Sequence, residues 1–340
     1  MRAHRVWPWG AVLAMSLFVA SAAADPIEDI INQTSLGEYQ SYLRVLTGVD
    51  PVPGNPPVCL LNRNSYGPLN PVAGQWIRGQ FESFDLNASI HPFTFDNGLV
   101  GQNVIGELPG STRPDDIYVI CAHYDTVTGD FLVQPGCDDN GSGTAAVLMA
   151  ARILSQYQFE GTIRFIAFSG EEQGLVGSDA YAHAAHDAGE NIVAAINLDM
   201  ILHPGFDNQD PDPDYDVDIT SNNASLALAQ YMAAQYAAYT PLSVEVCQSW
   251  VGGSDHYSFW EYGYHAIELA ENRVDEIWHG SNDTYHQVTD TLYNPDFDWD
   301  FGLQTVRGGM AGLAGLAGLV PEPGSLAAMA MLVLMARRRT

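Results

Sequence analysis

Apolar positions recur at helical and strand periods along most of the chain, and the two periods alternate. Between residues 25 and 50, Ile27, Ile30 and Ile31, then Tyr39, Tyr42, Leu43 and Leu46, fall at helical spacing. Residues 51–70 are rich in Pro, Gly and Asn and read as loop. Pro71 to Phe84 puts Trp76, Ile77, Phe81 and Phe84 on one helical side. Strand-like runs follow at 88–95, 101–108 and 116–122, punctuated by Asp96-Asn97-Gly98 and Pro109-Gly110. Then come a helix from Ser142 to Leu154, a strand from Thr162 to Phe168, a helix from Ser178 to His186 and a strand from Ile192 to Leu198. A helix over Ala224 to Tyr239, a strand at 264–269 and a short helix from Gln304 complete the pattern. The alternation predicts an α/β fold, a mixed, mostly parallel central sheet with helices on both faces. No repeat or linker divides residues 25–307, so one domain is expected there. Gly308 to Leu319, rich in Gly, Ala and Leu, reads as a flexible linker.

The two ends follow different rules. Residues 1–24 have the order of a secretory signal peptide: Arg2 and Arg5, an apolar stretch from Ala11 to Ala20, then Ala22-Ala23-Ala24 as a cleavage site. Residues 320–340 run from Val320-Pro321-Glu322-Pro323 through an apolar stretch, Leu326 to Ala336, to Arg337-Arg338-Arg339. This order resembles the PEP-CTERM sorting tag of Gram-negative bacteria. The resemblance implies recognition by an exosortase-type sorting enzyme and removal of the tail, leaving a protein that is secreted or held at the cell envelope.

Composition narrows the partners. The 340 residues carry 13 basic side chains, all arginine, against 41 acidic ones, a formal net charge of -28. A surface this acidic excludes nucleic acid and anionic membrane as partners, since phosphate contacts need clustered cations. A hydrophobic fraction of 46% excludes global disorder. Four cysteines are too few for a disulfide scaffold. Cys121 is expected to pack inside a strand, while Cys59, Cys137 and Cys247 fall in apparent loops as the candidate disulfide partners, with one left over.

The candidate chemistry lies at strand ends, where open α/β sheets place their ligands. Ile120-Cys121-Ala122-His123-Tyr124-Asp125 ends a strand in His-x-Asp, and Gly136-Cys137-Asp138-Asp139-Asn140-Gly141-Ser142-Gly143 opens a helix. Phe168-Ser169-Gly170-Glu171-Glu172-Gln173-Gly174 and Ile196-Asn197-Leu198-Asp199-Met200 each follow a strand. Converging carboxylates repel one another and lose ionisation, and a divalent metal reverses that penalty. Imidazole with carboxylate oxygen suits zinc, and a pair of metals needs a bridging carboxylate and a shared water. Asp125 stands two residues from His123 on the same strand face, placed to accept the imidazole's other N–H.

At these residues the chain resembles the zinc-dependent aminopeptidases and related exopeptidases of metallopeptidase family 28. The segments HYD, PGCDDNGSG, SGEEQGL, NLDM, GGSDHYSF and YHQVTDT occur in the family's order across residues 30–305. The resemblance implies two Zn2+ ions held by His123, Asp139, Glu172, Asp199 and His286. Asp139 would bridge, with His123 and Asp199 completing one centre and Glu172 and His286 the other. It further implies Glu171 as general base and Tyr285 as a stabiliser of the oxyanion. Asp290 or Asp255 would orient His286. His183, His186, His203, His265 and His279 have no local support as ligands, and His256 is expected to wall the cleft. Some members have an arginine where Gly253 stands, which weakens recognition of a free α-carboxylate by a carboxypeptidase or dipeptidase. Glutaminyl cyclisation on the same fold and a non-catalytic binding ectodomain compete with the aminopeptidase expectation; all five ligands and Glu171 are present, which favours a two-metal hydrolase. The peptide substrate is expected to carry an apolar N-terminal residue, received by Met200 beside the metals and by the aromatics Trp250, Tyr257, Phe259, Trp260 and Trp278. The acidic loop at 207–216 could take Ca2+, although it lacks the glycine and terminal Glu of an EF-hand and reads rather as a solvated, proline-stiffened loop.

Overall fold

The computed structural model describes residues 25–204, 216–249, 252–272 and 282–320. The signal-peptide and sorting-tag segments, most of the acidic loop, Trp250, Trp278 and His279 lie outside those residues. Eight strands form one sheet in the order β1-β2-β4-β3-β5-β8-β6-β7. They are β1 (Asn87–Thr94), β2 (Val100–Leu108), β3 (Arg113–His123), β4 (Gly161–Phe168), β5 (Asn191–Leu198), β6 (Asp216–Ser221), β7 (Ser243–Gln248) and β8 (Ala266–Ala270). The central strands β4, β3, β5 and β8 run parallel, as do β6 and β7. The pairs β1–β2, β2–β4 and β6–β8 are antiparallel. The sheet is thus mixed and mostly parallel, as the alternation predicted.

Helices cover both faces. One face carries α1 (Pro26–Ile31), α2 (Leu36–Leu46), α3 (Asn70–Ser83), α4 (Gly143–Leu154), α6 (Leu226–Tyr239) and α8 (Trp299–Ala317); the other carries α5 (Val176–Ala188) and α7 (His256–Glu261). β3 shows why both faces must be covered. Tyr118, Ile120 and Ala122 enter the larger core, while Ile117, Val119 and Cys121 enter the smaller one with Phe168, Tyr181 and Phe259. A continuous apolar run is the mark of a strand buried on both sides.

Three expectations change. The periodicity over 25–50 belongs to two helices, separated at Thr34 and capped by Asp25 and Ser35. β6, β7 and α7 have no counterpart in the predicted pattern. Both strands are six residues long and α7 is a six-residue helix, too short for periodicity to register. The largest correction is at the C-terminal side, where residues 308–317 are no linker. They are the second half of α8, which Asp298 caps by accepting from the Asp300 and Phe301 amides and which Gly318 ends at φ 75°. Gly308, Met310, Leu313, Ala314 and Ala317 are buried there. The glycines allow α6 to approach: a Cβ on Gly308 would stand 2.3 Å from the Tyr236 ring, and one on Gly312 would stand 2.2 Å from Met232 Sδ. The chain then pairs Leu319 with Phe159, and Val320 donates to the Gln158 carbonyl. The domain therefore runs through residue 320.

The cysteines also differ from expectation. No disulfide joins any two of them among the described residues: Cys121 and Cys137 are buried, Cys247 lies in β7 and Cys59 is exposed.

Candidate metal centre

The parallel strands deliver the site. β3 ends at His123, β4 is followed by Glu171 and Glu172, β5 is followed by Asp199, and Asp139 sits in the irregular turn at 137–142 that leads into α4. That turn is fixed from several sides. Asn140 donates to the Leu198 carbonyl at 2.9 Å and accepts from the Gly143 amide at 2.9 Å. A Cβ at Gly143 would lie 2.4 Å from the same Leu198 carbonyl, so only glycine allows α4 to start so close to β5. Asp290 accepts from the Asp138 amide at 2.8 Å and from the Asp139 amide at 3.0 Å.

His123 Nε2 lies 3.4 Å from Asp139 Oδ1 and 3.4 Å from Asp199 Oδ1. His286 Nε2 lies 3.2 Å from Asp139 Oδ2 and 3.1 Å from Glu172 Oε2. The two oxygens of Asp139 thus face two different imidazoles. The donor atoms of His123, Asp139 and Asp199 lie within 4.8 Å of one another, and so do those of Asp139, Glu172 and His286. Glu171 Oε2 is 3.9 Å from His123 Nε2. Of the four described non-glycine residues at positive φ, two belong to the site, Met200 at 53° and His286 at 55°. Left-handed backbone is uncommon outside glycine and tends to cluster at functional sites.

Electrostatics fits a cation. Burial pushes the Glu171 carboxyl well above its ordinary range, and Glu172 and Asp199 push it further. Burial and then Asp139 take Glu172 up to about 7, with His286 pulling the other way. For His286 burial opposes the proton, but Asp139 and Glu172 outweigh it and raise the imidazole to about 10. For Asp139 burial is likewise outweighed, here by hydrogen bonds from His123 and His286, which hold it below its usual range. Glu171, Glu172 and His286 hold protons, and Asp139 stays ionised between two imidazoles, because buried carboxylates need positive charge. Glu172 Oε1 and Asp199 Oδ1 are buried and accept no hydrogen bond. Three acids, two imidazoles and two idle carboxylate oxygens are the donor set that zinc takes, so the residues fit the metal.

The surrounding residues hold these donors in place. Asp125 Oδ1 is 3.6 Å from His123 Nδ1, which lies nearer the Asp125 carbonyl at 3.2 Å. Asp125 also accepts from Ser65 at 3.0 Å and faces the Glu171 and Glu172 amides, each at 3.4 Å. It therefore ties the imidazole to the acidic pair. Neither Asp290 nor Asp255 orients His286. Asp290 holds the Asp138–Asp139 backbone, and Asp255, raised to about 7 by burial, interacts with His123 and Asp199. Tyr285 stacks on His286 at 3.8 Å and, like Met200 and Gly253, lines the cleft. Tyr257 contacts Trp260, and Phe259 packs in the smaller core instead of the cleft. His183, His186 and His265 are exposed and belong to none of the donor groups, and His256 is fully buried with Nδ1 3.8 Å from Glu268 Oε2.

No motif marks several of the supporting residues. Arg63, in the apparent loop at 51–70, is fully buried and donates to the Tyr124, Pro135, Gly136 and Leu46 carbonyls, pinning the segments that carry His123 and Asp139. Glu271 accepts from the Leu202 amide at 3.0 Å, from the His203 amide and from Asn282 at 2.9 Å; Asn282 also donates to Asp138 at 3.0 Å. The available signal was an acid inside or beside a wholly buried strand, Ala266 to Ala270, where carboxylates are rare unless paired.

A sheet of this topology, with two donor triads sharing one aspartate at its strand ends, defines a candidate metal centre. The chain belongs to peptidase family M28, whose pattern matches residues 103–295. A probable zinc metalloprotease of Pyrenophora teres f. teres is 41% identical over 102 residues, 29% of this chain and 22% of that protein. Aminopeptidase YwaD of Bacillus subtilis is 34% identical over 197 residues, 56% of this chain and 40% of that protein. The chain thus spans well under two thirds of either relative. The LapA aminopeptidase of Legionella pneumophila has the same fold, with a TM-score of 0.70 at 19% identity over 87% of this chain and 75% of that one.

Proposed function

We propose that this protein is a zinc-dependent aminopeptidase that holds two metal ions and hydrolyses the first peptide bond of peptides. The observation that carries the reading is Asp139, whose two oxygens face His123 on one side and His286 on the other. One centre would be held by His123, Asp139 and Asp199, the other by Asp139, Glu172 and His286. When bound, the ions would polarise the peptide carbonyl and acidify water. Glu171, beside the donors but not needed by either triad, accepts the proton of the attacking water and passes one to the leaving amine. The Tyr285 hydroxyl donates to the oxyanion as charge develops there. The free α-amine of the substrate is held by the acids near Glu171 and Asp199. Names of relatives support aminopeptidase chemistry, and a donor set for two metals favours hydrolysis over one-zinc glutaminyl cyclisation.

The test uses aminoacyl p-nitroanilides with zinc-loaded protein. Free-amine substrates should be cleaved and their N-acetylated counterparts should not, since acetylation removes the cation that the acids hold. Equal cleavage of both would contradict the reading. The apolar preference expected from Met200 and the nearby aromatics is set against an acid that no matched segment contains, Glu268, which lines the cleft.

Secretion and tail removal are proposed from the terminal sequences alone. The last described pairing is at Val320, and the Pro-Glu-Pro segment lies outside the described residues. Intact mass of protein from the native envelope should lack residues 1–24 and everything past about Pro323 if the tag is processed. A retained Arg337-Arg338-Arg339 end would reject the exosortase as partner.

A further inference from the structure

Glu268 lies in the middle of β8, where Ala266, Glu268 and Ala270 point to one face of the sheet. It is paired in register with Asn197 of β5 on one side and Thr220 of β6 on the other. Its exposure is 2%. Among the described residues Oε2 accepts no hydrogen bond, and His256 Nδ1 stands 3.8 Å away. His256 gives no charge in return, because burial pushes it down to about 3 and leaves it neutral. The carboxylate nevertheless lines the same cleft as Asp199 and Glu171, where Gly253 and Ala270 have no side chains long enough to cover it.

Among the described residues, the charged groups that act most on Glu268 are Asp199, Asp218 and Asp255, all acids. A metal at the donor triads would offset Asp199, but Glu268 belongs to neither triad. Burial and then Asp199 raise the Glu268 carboxyl to about 8, so it keeps its proton until a cation displaces it, and its idle oxygen is costly to leave unpaired. An ammonium or guanidinium group entering the cleft would satisfy it with a charge-assisted hydrogen bond. An apolar side chain would instead desolvate the acid further and give it no partner.

We propose that Glu268 reads the side chain of the substrate's N-terminal residue and selects a cationic one, lysine or arginine, over leucine or methionine. The proposal rests on the aminopeptidase reading and gives that site a substrate class. Glu268 makes no contact with the reacting atoms; it is a specificity residue at the floor of the cleft.

The experiment measures kcat/KM of zinc-loaded wild type, Glu268→Gln and Glu268→Met on lysyl, arginyl, leucyl and methionyl p-nitroanilides. Wild type should favour the two basic substrates. The Lys/Leu ratio should fall about 10- to 100-fold in Glu268→Met, the range that a charged hydrogen bond spans. It should fall less in Glu268→Gln, which keeps an acceptor. A wild type that prefers leucine, or a ratio that neither variant moves, overturns the proposal and leaves the aminopeptidase reading standing. A second readout needs no turnover: calorimetric binding of L-lysinamide and L-leucinamide to zinc-loaded Glu171→Gln. Tighter lysinamide binding supports the assignment, and equal or weaker binding rejects it. Failure to cleave any free-amine substrate would instead overturn the reading on which it rests.

Discussion

Two adjacent glycines in α8 give opposite expectations from the same substitution. Gly308→Ala would place its Cβ 2.3 Å from Cε1 of Tyr236 and 2.5 Å from Cδ1 and Cζ. The ring would have to retreat by about 1 Å to restore ordinary contact. It cannot do so freely, since Tyr236 is fully buried and its hydroxyl donates to the Thr305 carbonyl at 2.8 Å. Overpacking of this kind costs about 1–3 kcal/mol. Losing the hydroxyl's bond would add about 1 kcal/mol. Against this stands a gain of about 1 kcal/mol from replacing a helical glycine with alanine. The net is a loss of about 1–3 kcal/mol, with overpacking the deciding term. Gly309→Ala meets only Leu269 Cδ1, at 3.4 Å, which is ordinary contact. There the helix gain of up to about 1 kcal/mol stands alone, so the variant should be stabilised. Urea unfolding of both variants against wild type, at equal m-values, measures the two differences. If both alanines stabilised equally, α8 would not be packed on α6 as described, and residues 308–317 would behave as an exposed or flexible segment.

Two further expectations concern the acids of the site. Glu171→Gln should keep its metal and lose turnover by about 10²- to 10⁴-fold, the range of a general base, whereas Glu172→Gln should show the weaker metal affinity in a chelator competition; the reverse pattern would exchange their roles. Burial takes Glu271 up to about 8 and also raises its neighbour Asp138. Because the folded state binds these protons more tightly than the unfolded one, their contribution is full in acid and is lost as pH rises through about 8. The thermal midpoint of wild type minus that of Glu271→Gln should therefore fall between pH 6 and 9, and a difference that rises with pH would contradict the sign.

The long elements and the donors were legible for physical reasons that do not extend to the rest. Strands buried on both faces, such as Tyr118 to Ala122, leave unbroken apolar runs, and His123, Glu171 and Asp199 stand at the ends of such runs. Charged residues there interrupt the hydrophobic pattern and draw notice. The glycines of α8 misled because low helix propensity is the same in a linker and at a close helix crossing; only the partner, Tyr236 or Met232, distinguishes them. β6 and β7 are short strands at and beside the sheet edge, and the polar residues along them, Asp216 and Asp218 in β6 and Ser243, Glu245 and Gln248 in β7, leave no long apolar run. Arg63 and Glu271 act on backbone groups far away in sequence, such as the Tyr124 carbonyl and the Leu202 amide, and no local spacing records such contacts. Glu268 stood outside every chemical segment, and its place in the cleft follows from the β5–β8 register.

The central claim is that Asp139 joins two metal positions. The most direct measurement is zinc titration of metal-free protein, followed by elemental analysis and by activity at each equivalent, in wild type and in His286→Ala. The account predicts binding that saturates at two zinc ions per chain in wild type and at one in His286→Ala, with full activity only at two. Saturation of the wild type at a single ion with full activity, or loss of both ions on removing His286, would contradict it.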